Sequence, residues 1–136
     1  MYERILVAMA LDHGLSAEML EVARAIRSPG GEIFALHVVE APYGIAQATQ
    51  PDDVQSKNYE RARGLMADKL AGVEDATARI VQGHVQRNII AFAEEHDIDC
   101  IVMGSHQPDF SDFLLGSTAA RVVRHAPCAV HVFRRR

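Results

Sequence analysis

Residues Ile101–Arg121, IVMGSHQPDFSDFLLGSTAAR, carry the pattern from which the fold can best be predicted. The apolar run from Cys100 to Gly104 is typical of a short strand that is buried on both faces of a sheet. A turn-rich loop with Pro108 follows, and the chain then enters a helix, for which Ser117 is the expected N-cap. The segment therefore predicts one strand–loop–helix unit of an α/β protein.

The glycines of this segment predict a place where phosphate groups can bind. Free backbone N–H groups and the positive end of a helix should meet near Gly116 and Ser117. Glycine also lets a ligand approach the backbone where a Cβ atom would block it. The alternative stays open, because many strand–helix turns carry glycine and serine for folding reasons alone.

Strands and helices alternate along the rest of the chain. Strands are predicted over Glu3–Met9, Ile33–Val39, Ala76–Val81, Asp99–Gly104 and Cys128–Phe133. Helices are predicted from Ser16 to a stop at Ser28–Gly31, over Asp52–Leu70, over Val85–His96, and from Ser117 to a break at Ala126–Pro127. This order predicts a parallel sheet covered on both faces, with ligands bound beyond the strand C-terminal ends where the strand order reverses. The first and fourth strands are the expected neighbours at that point.

Length, composition and charge restrict the class of protein. The 136 residues suit one domain over residues 1–136, with 49% hydrophobic and 24% charged residues. The formal net charge of −4 argues against nucleic acid as a partner, because phosphate backbones attract clustered lysine and arginine. The basic run Arg134–Arg136 is expected to be a solvated tail.

The chain has neither the apolar run of about 20 residues that a membrane span needs nor a signal-peptide pattern at its start. We therefore expect a soluble, cytoplasmic protein without a membrane partner. Cys100 and Cys128 are then expected to be buried, reduced thiols. No Cys or His spacing of a zinc site is present in the sequence.

The motif GSH, a spacer, LLGS and an amphipathic helix that ends in RHAPCAVHV resembles the C-terminal signature of the universal stress protein family. That signature reads G-x2-G-x9-G-[ST], then a helix, then a final strand after a small-Pro-Cys-type turn. The resemblance extends over essentially the whole chain. It implies a three-layer α/β/α fold of the Rossmann-like, adenine nucleotide alpha hydrolase-like type, with an open five-stranded parallel sheet in the order 3-2-1-4-5.

The ATP-binding branch of that family holds the triphosphate on the signature glycines and serine, so the resemblance implies ATP as the ligand, with or without Mg²⁺. Val38 and Met103 would flank the base, and backbone N–H groups from Gly104 through Gly116 to Thr118 would hold the phosphates. The residues assigned to the nucleotide in this way are Ala8, Ala10, Asp12, Val38, Met103, Gly104, His106, Gln107, Gly116, Ser117 and Thr118.

The phosphate loop departs from the family pattern. Gln107 replaces the second glycine, and the interval from Gly104 to Gly116 is one residue shorter than usual. A similar shortened loop, with proline where Pro108 stands, belongs to a small-protein subgroup that still holds ATP. Two further acidic residues, Asp109 and Asp112, either point to solvent or help to bind a divalent ion. His106 either donates to a phosphate oxygen or shapes the turn.

The first strand also departs from the pattern. Ala8 stands at the family's proline position and Ala10 at the position of the aspartate that contacts the nucleoside. Asp12 either supplies that carboxylate from a loop one residue longer or is a simple turn residue. In the long loop Glu40–Asp53, Tyr43 either stacks on the base or packs against the core.

Catalysis is not expected beyond slow ATP hydrolysis. The sequence contains no Gly-x-Ser-x-Gly elbow and no Walker-type Gly-Lys-Ser, and the loop from Gly104 to Gly116 has no lysine or arginine. Two functions remain open: a nucleotide-binding regulatory protein of the stress response, and a dimerisation or adaptor module that has lost the nucleotide. The resemblance implies a homodimer through antiparallel pairing of the last strand, at its apolar residues Ala129, Val130 and Val132.

Overall fold

The computed structural model describes residues 1–11, 16–40, 52–105 and 115–134, with side chains of the second helix described from residue 56 onward. Strands and helices alternate along the chain, as the sequence predicts. The elements are β1 (Tyr2–Ala8), α1 (Ser16–Ile26), β2 (Arg27–Glu40), α2 (Asp52–Lys69), β3 (Ala76–Gly83), α3 (Val85–Glu95), β4 (Cys100–Gly104), α4 (Ser117–His125) and β5 (Ala129–Phe133).

The described strands form one sheet of five parallel strands in the order β3-β2-β1-β4-β5. The predicted architecture and strand order are therefore confirmed. β1 lies at the centre, where Ile5 pairs with Ile33 of β2 on one side and with Cys100 of β4 on the other. The chain winds outward in opposite directions from β1 and β4, so a crevice opens between their C-terminal ends.

Two hydrophobic clusters lie on opposite faces of the sheet, because successive side chains of a strand point to opposite sides. On one face, α1 and α2 pack Met19, Leu20, Ala23, Ala62 and Met66 against the strands. On the other face, α3 and α4 pack Ile89, Phe92, Ala93, Ala119 and Val122. The central strands β1, β2 and β4 are buried between the two pairs of helices at Ile5–Val7, Ile33–Leu36 and Cys100–Met103, which explains the continuous apolar sequence there. The predicted three-layer arrangement is thus confirmed.

The start of β2 differs from the prediction. The chain passes from α1 directly into extended backbone at Arg27, rather than beginning its strand at Ile33. The pairing with β1 is irregular here, since Tyr2 pairs with Arg27 but Arg4 pairs with Glu32. The intervening Gly30 has a φ of +80°, a conformation that glycine adopts without strain and that places the extra residues of β2 in a bulge.

The N-terminus of α4 also requires a correction. Gly116, and not Ser117, is the N-cap; its backbone is extended and no side chain caps the described end of the helix. Ser117 is the first helical residue. The buried face of this helix consists of Ala119 and Val122, which are three positions apart and therefore lie on one side.

The start of α1 differs in the same way. Ser16, the expected cap, is the first residue of the helix and is buried. Its hydroxyl has no hydrogen-bond partner within the portion of the chain that the structure describes. Among the same residues, no helix has both the length and the apolar character that crossing a membrane requires.

Candidate functional site

A cavity of about 590 Å³ opens at the C-terminal edge of the sheet. This volume lies in the range of small-molecule sites, about 300–1,000 Å³. Its floor consists of the ends of the three central strands, and helices from both faces form its walls. The lining residues are Ala8–Leu11 after β1, Leu36–Glu40 of β2, Met103 and Gly104 of β4, Gly116–Ala119 at the start of α4, Val85 and Ile89 of α3, Met19 of α1, and Asn58, Arg61, Ala62 and Leu65 of α2.

The structure brings together every predicted nucleotide residue that it describes. These residues are Ala8, Ala10, Val38, Met103, Gly104, Gly116, Ser117 and Thr118, and all of them line this crevice. The remaining three predictions, Asp12, His106 and Gln107, lie outside the described residues, as do Tyr43, Asp109 and Asp112. The placement agrees with the fold argument, because the crevice lies where the order of the strands reverses.

One end of the crevice presents backbone N–H groups. The first helical hydrogen bond of α4 runs from Ala120 N–H to the Gly116 carbonyl at 2.9 Å, so the amides of Ser117, Thr118 and Ala119 precede the helical ladder. Gly116 is buried, while Ser117 is exposed at the mouth of the crevice. An uncapped helix start of this kind attracts anions through its free N–H groups and its dipole.

The opposite end presents the open edge of β2. β2 pairs with β3 as far as Glu40, but with β1 only as far as Leu36. The backbone of β2 beyond Leu36 therefore borders the crevice on the side that β1 leaves free. Val38 lies in this stretch, so its main-chain groups are placed to hydrogen-bond the edge of a flat heterocycle.

Two hydrogen bonds fix the chain where it leaves β1. The Met9 amide donates to the Leu36 carbonyl at 2.7 Å, and the His37 Nδ1 atom lies 2.7 Å from the Met9 carbonyl oxygen. His37 therefore helps to fix the backbone at the edge of the crevice. Ala10, which follows, is exposed and lines the crevice without a carboxylate.

Sequence reasoning missed the contribution of α2. Asn58 and Arg61 line the crevice together with Ala62 and Leu65, at the spacing of one helical face. The signal was present, because the apolar stripe through Ala62 and Leu65 continues toward the start of the helix as these two polar residues. Arg61 adds a guanidinium to a crevice that was expected to have no basic side chain in its loop.

The described lining residues of the crevice present groups that can hold an anion. No group of three or more histidine, cysteine, aspartate or glutamate side chains suited to a metal ion occurs among the described residues. Burial raises the pKa of the Cys100 thiol to about 11, and burial also raises the pKa of Cys128, so both thiols are protonated near neutral pH. Backbone amides, hydroxyls and one arginine can hold an anionic ligand without activating a nucleophile.

A doubly wound parallel sheet with a ligand-sized crevice at its switch point defines the class as a Rossmann-like α/β domain. The model of the universal stress protein family matches residues 1–134, and the chain belongs to that family. It is 27% identical over 136 residues to Universal stress protein A homolog 2 of Coxiella burnetii, covering 95% of this chain and 92% of that protein.

Solved structures show the same fold. The hypothetical protein MJ0577 matches with a TM-score of 0.82 and 27% identity, over 100% of this chain and 98% of that chain. The universal stress protein UspA from Lactobacillus plantarum matches with a TM-score of 0.78 and 26% identity, over 98% of each chain.

Two more distant structures of the fold were determined with nucleotides. One is a universal stress protein in complex with cAMP, with a TM-score of 0.61, 18% identity, and coverage of 96% of this chain and 95% of that one. The other is the universal stress protein from Archaeoglobus fulgidus in complex with dAMP, with a TM-score of 0.57, 19% identity, and coverage of 96% and 97%.

Proposed function

We propose that this protein binds ATP or a related adenine nucleotide in the crevice and acts as a regulatory protein of the stress response. The observation that carries the proposal is the arrangement of the two ends of the cavity. The uncapped start of α4 offers N–H groups for phosphates, and the free edge of β2 offers backbone groups for a base. The two ends face one cavity of about 590 Å³.

In this proposal Val38 and Met103 flank the base, and Gly104, Gly116 and Thr118 hold the phosphates. The nucleotide complexes of two fold neighbours support it, because one was solved with cAMP and the other with dAMP.

Occupancy of the crevice would bias the loop after β2 or the dimer surface, and Mg²⁺ would accompany the phosphates if a triphosphate binds. The protein would act in the cytoplasm, with residues 1–136 as one domain.

The proposal also states that the protein catalyses little or no reaction of the bound nucleotide. Phosphoryl-transfer sites combine a cation on the transferred phosphate with a group that orients the attacking oxygen. At the phosphate end, the described residues supply backbone amides and hydroxyls. The guanidinium of Arg61 enters the crevice from α2, which packs on the opposite face of the sheet from α4. Such a site holds the nucleotide and leaves its phosphates intact.

Calorimetric titration with ATP, with and without Mg²⁺, tests the proposal. We expect micromolar binding that Gly116→Val abolishes, since Gly116 is buried at the phosphate end and its extended backbone accepts any residue, so the change adds bulk without backbone strain. Gly64→Val is the matched control, because no heavy atom lies within 4 Å of a Cβ at that exposed position of α2. Absence of binding up to about 1 mM ATP, a free energy of only about −4 kcal/mol, would refute the proposal.

A nucleotide-free dimerisation or adaptor module is the second candidate. The observation in its favour is Ala10, which lines the crevice where the family resemblance calls for an aspartate. Both candidates include homodimerisation through β5, an edge strand that pairs with β4 and carries Val130 and Val132, both half-buried, beside the exposed Ala129.

A further inference from the structure

A second groove lies between α3 and α4, with a volume of about 670 Å³. Its charged and titratable lining consists of Arg87, Arg121, Arg124, His84 and His125. No carboxylate is among the lining residues that the structure describes. The chain has a formal net charge of −4, so acidic residues outnumber basic ones and could pair with each arginine. A groove with three guanidinium groups and no carboxylate is therefore unexpected.

The arginines of this groove differ from three arginines on the other side of the molecule. Arg24 and Arg27 both contact the Asp75 carboxylate, and Arg63 contacts Glu60. Within the described chain, by contrast, Arg87, Arg121 and Arg124 form no ion pair. Their mutual repulsion has no compensating charge there, and an anionic ligand would supply one.

The groove adjoins the crevice at the N-termini of its two helices. Ser117 lines both cavities, and on α3 the neighbouring residues Val85 and His84 line the crevice and the groove respectively. The positive ends of α3 and α4 therefore meet at the boundary. His84 caps α3, where its Nδ1 accepts from the Arg87 amide at 3.4 Å, whereas no described side chain caps α4.

The arginines of α4 extend the phosphate end of the crevice along the helix. Ser117, Arg121 and Arg124 are spaced by four and three residues, so they share one face. At a rise of 1.5 Å per residue, Arg121 lies about 6 Å and Arg124 about 10 Å beyond Ser117 along the axis. Arg87 faces them from α3. A phosphate chain that leaves the crevice at Ser117 would meet these guanidiniums in succession.

We infer that the α3–α4 groove is a second phosphate-binding site, which receives the distal phosphates of a nucleotide whose base lies in the crevice. The inference rests on the proposed function for the crevice itself. It names the ligand class as nucleotides with a triphosphate or longer chain, including dinucleoside polyphosphates. Arginine suits this role, since its planar group binds phosphate oxygens through two parallel hydrogen bonds.

Calorimetric titrations at low ionic strength, where screening of exposed charges is weakest, test the inference. The probes are AMP, ADP, ATP, adenosine 5′-tetraphosphate and inorganic tripolyphosphate. The variant is Arg121→Gln/Arg124→Gln, and the matched control is Arg63→Gln, an exposed arginine of α2. We expect the double variant to bind AMP as the wild type does, but ATP and the tetraphosphate about tenfold more weakly. The control should change none of these affinities.

The outcomes separate this inference from the proposal on which it rests. If all adenine nucleotides bind and the double variant weakens none of them, the groove inference is refuted while the crevice proposal stands. If the double variant weakens AMP as strongly as ATP, the arginines act on the crevice and the inference is again refuted. If tripolyphosphate binds through these arginines but no nucleotide binds, the crevice proposal and its extension into the groove both fail, and the groove is a site for free oligophosphate.

Discussion

The two halves of the molecule use arginine in opposite ways. On the α1–α2 side, Arg24 donates from two nitrogens to the Asp75 carboxylate at 2.7 and 3.0 Å, which joins α1 to the residue before β3. On the α3–α4 side, Arg121 and Arg124 face a groove and form no ion pair with any described residue. Arginine therefore ties α1 to the start of β3 on one side of the sheet, and on the other side it lines a groove that can receive an anion.

The two edge strands of the sheet also differ, in the polarity of their side chains. The exposed residues of β3 include Thr77 and Arg79, which make that edge polar. β5 instead presents half-buried Val130 and Val132 at the other edge. Charged and polar residues discourage pairing along an edge strand, whereas apolar ones favour it. The comparison indicates that the β5 edge is better suited than the β3 edge to pairing with another strand.

The largest expected effect is on the oligomeric state. Val130→Asp places a carboxylate on the edge of β5, where a dimer would bury it against its own copy, and a buried unpaired charge costs several kcal/mol. We expect the solution mass, measured by light scattering, to fall from dimer to monomer. Thr77→Asp on the edge of β3 is the matched control and should leave the mass unchanged. A mass that stays at the dimer value in both variants would place the interface elsewhere.

A smaller effect is expected within the crevice. Ala10→Asp restores the carboxylate that the family resemblance predicts, at an exposed position that lines the cavity. A hydrogen bond from a nucleoside hydroxyl to this carboxylate should tighten ATP binding about tenfold, since charged hydrogen bonds contribute about 1.5 kcal/mol. Calorimetry on the variant and on Ala10→Asn measures the gain. An unchanged affinity in both variants would mean that the ribose does not reach residue 10.

The smallest effect concerns stability on the α1–α2 side. Asp75→Asn removes the ion pairs with Arg24 and Arg27, and we expect a loss of about 1 kcal/mol in the free energy of unfolding, as for other partly exposed pairs of good geometry. Urea denaturation measures it. The affinity for ATP should not change, because this residue lies outside both cavities. A change in ATP affinity would contradict the placement of the ligand sites away from this ion pair.

The same pair predicts a pH dependence. The hydrogen bond from Arg24 lowers the pKa of Asp75 below its ordinary value of 3.8. A carboxyl group with a lower pKa in the folded state stabilises the protein above the ordinary value, and this stabilisation is lost as the pH falls through the folded-state pKa. The difference in unfolding free energy between the wild type and Asp75→Asn should therefore be constant above about pH 5 and vanish below the pKa. A difference that persisted in strong acid would exclude the ion pair as its cause.

Much of the fold was predictable from local patterns. The apolar runs at Ile5, Ile33 and Ile101 indicate strands buried on both faces, and their alternation with helices fixes parallel pairing. The errors concern element boundaries, namely the start of β2 at Arg27 rather than Ile33 and the N-cap of α4 at Gly116. Glycine and serine are both common N-cap residues, so the sequence alone does not decide whether Gly116 or Ser117 takes that position. The packing of Ala119 and Val122 against the sheet places the cap at Gly116.

The site was predictable where it depends on the backbone and not where it depends on distant side chains. Glycine spacing and the family resemblance located Gly104 and Gly116 in the crevice. Arg61 was missed because the stripe of α2 predicts which face of the helix packs inward, but not that the start of this face borders the crevice. The pairing of Arg24 with Asp75, which are 51 residues apart in the chain, could not be anticipated either.

An NMR titration with ATP would compare the two halves in one measurement. If the nucleotide binds as proposed, the backbone amide resonances of Val38, Ser117 and Thr118 shift in proportion to occupancy, because these residues line the crevice. Those of Arg24 and Asp75, on the α1–α2 side, stay in place. Shifts confined to the region around Arg24 and Asp75, or no shifts at millimolar ATP, would contradict the assignment of the crevice as a nucleotide site.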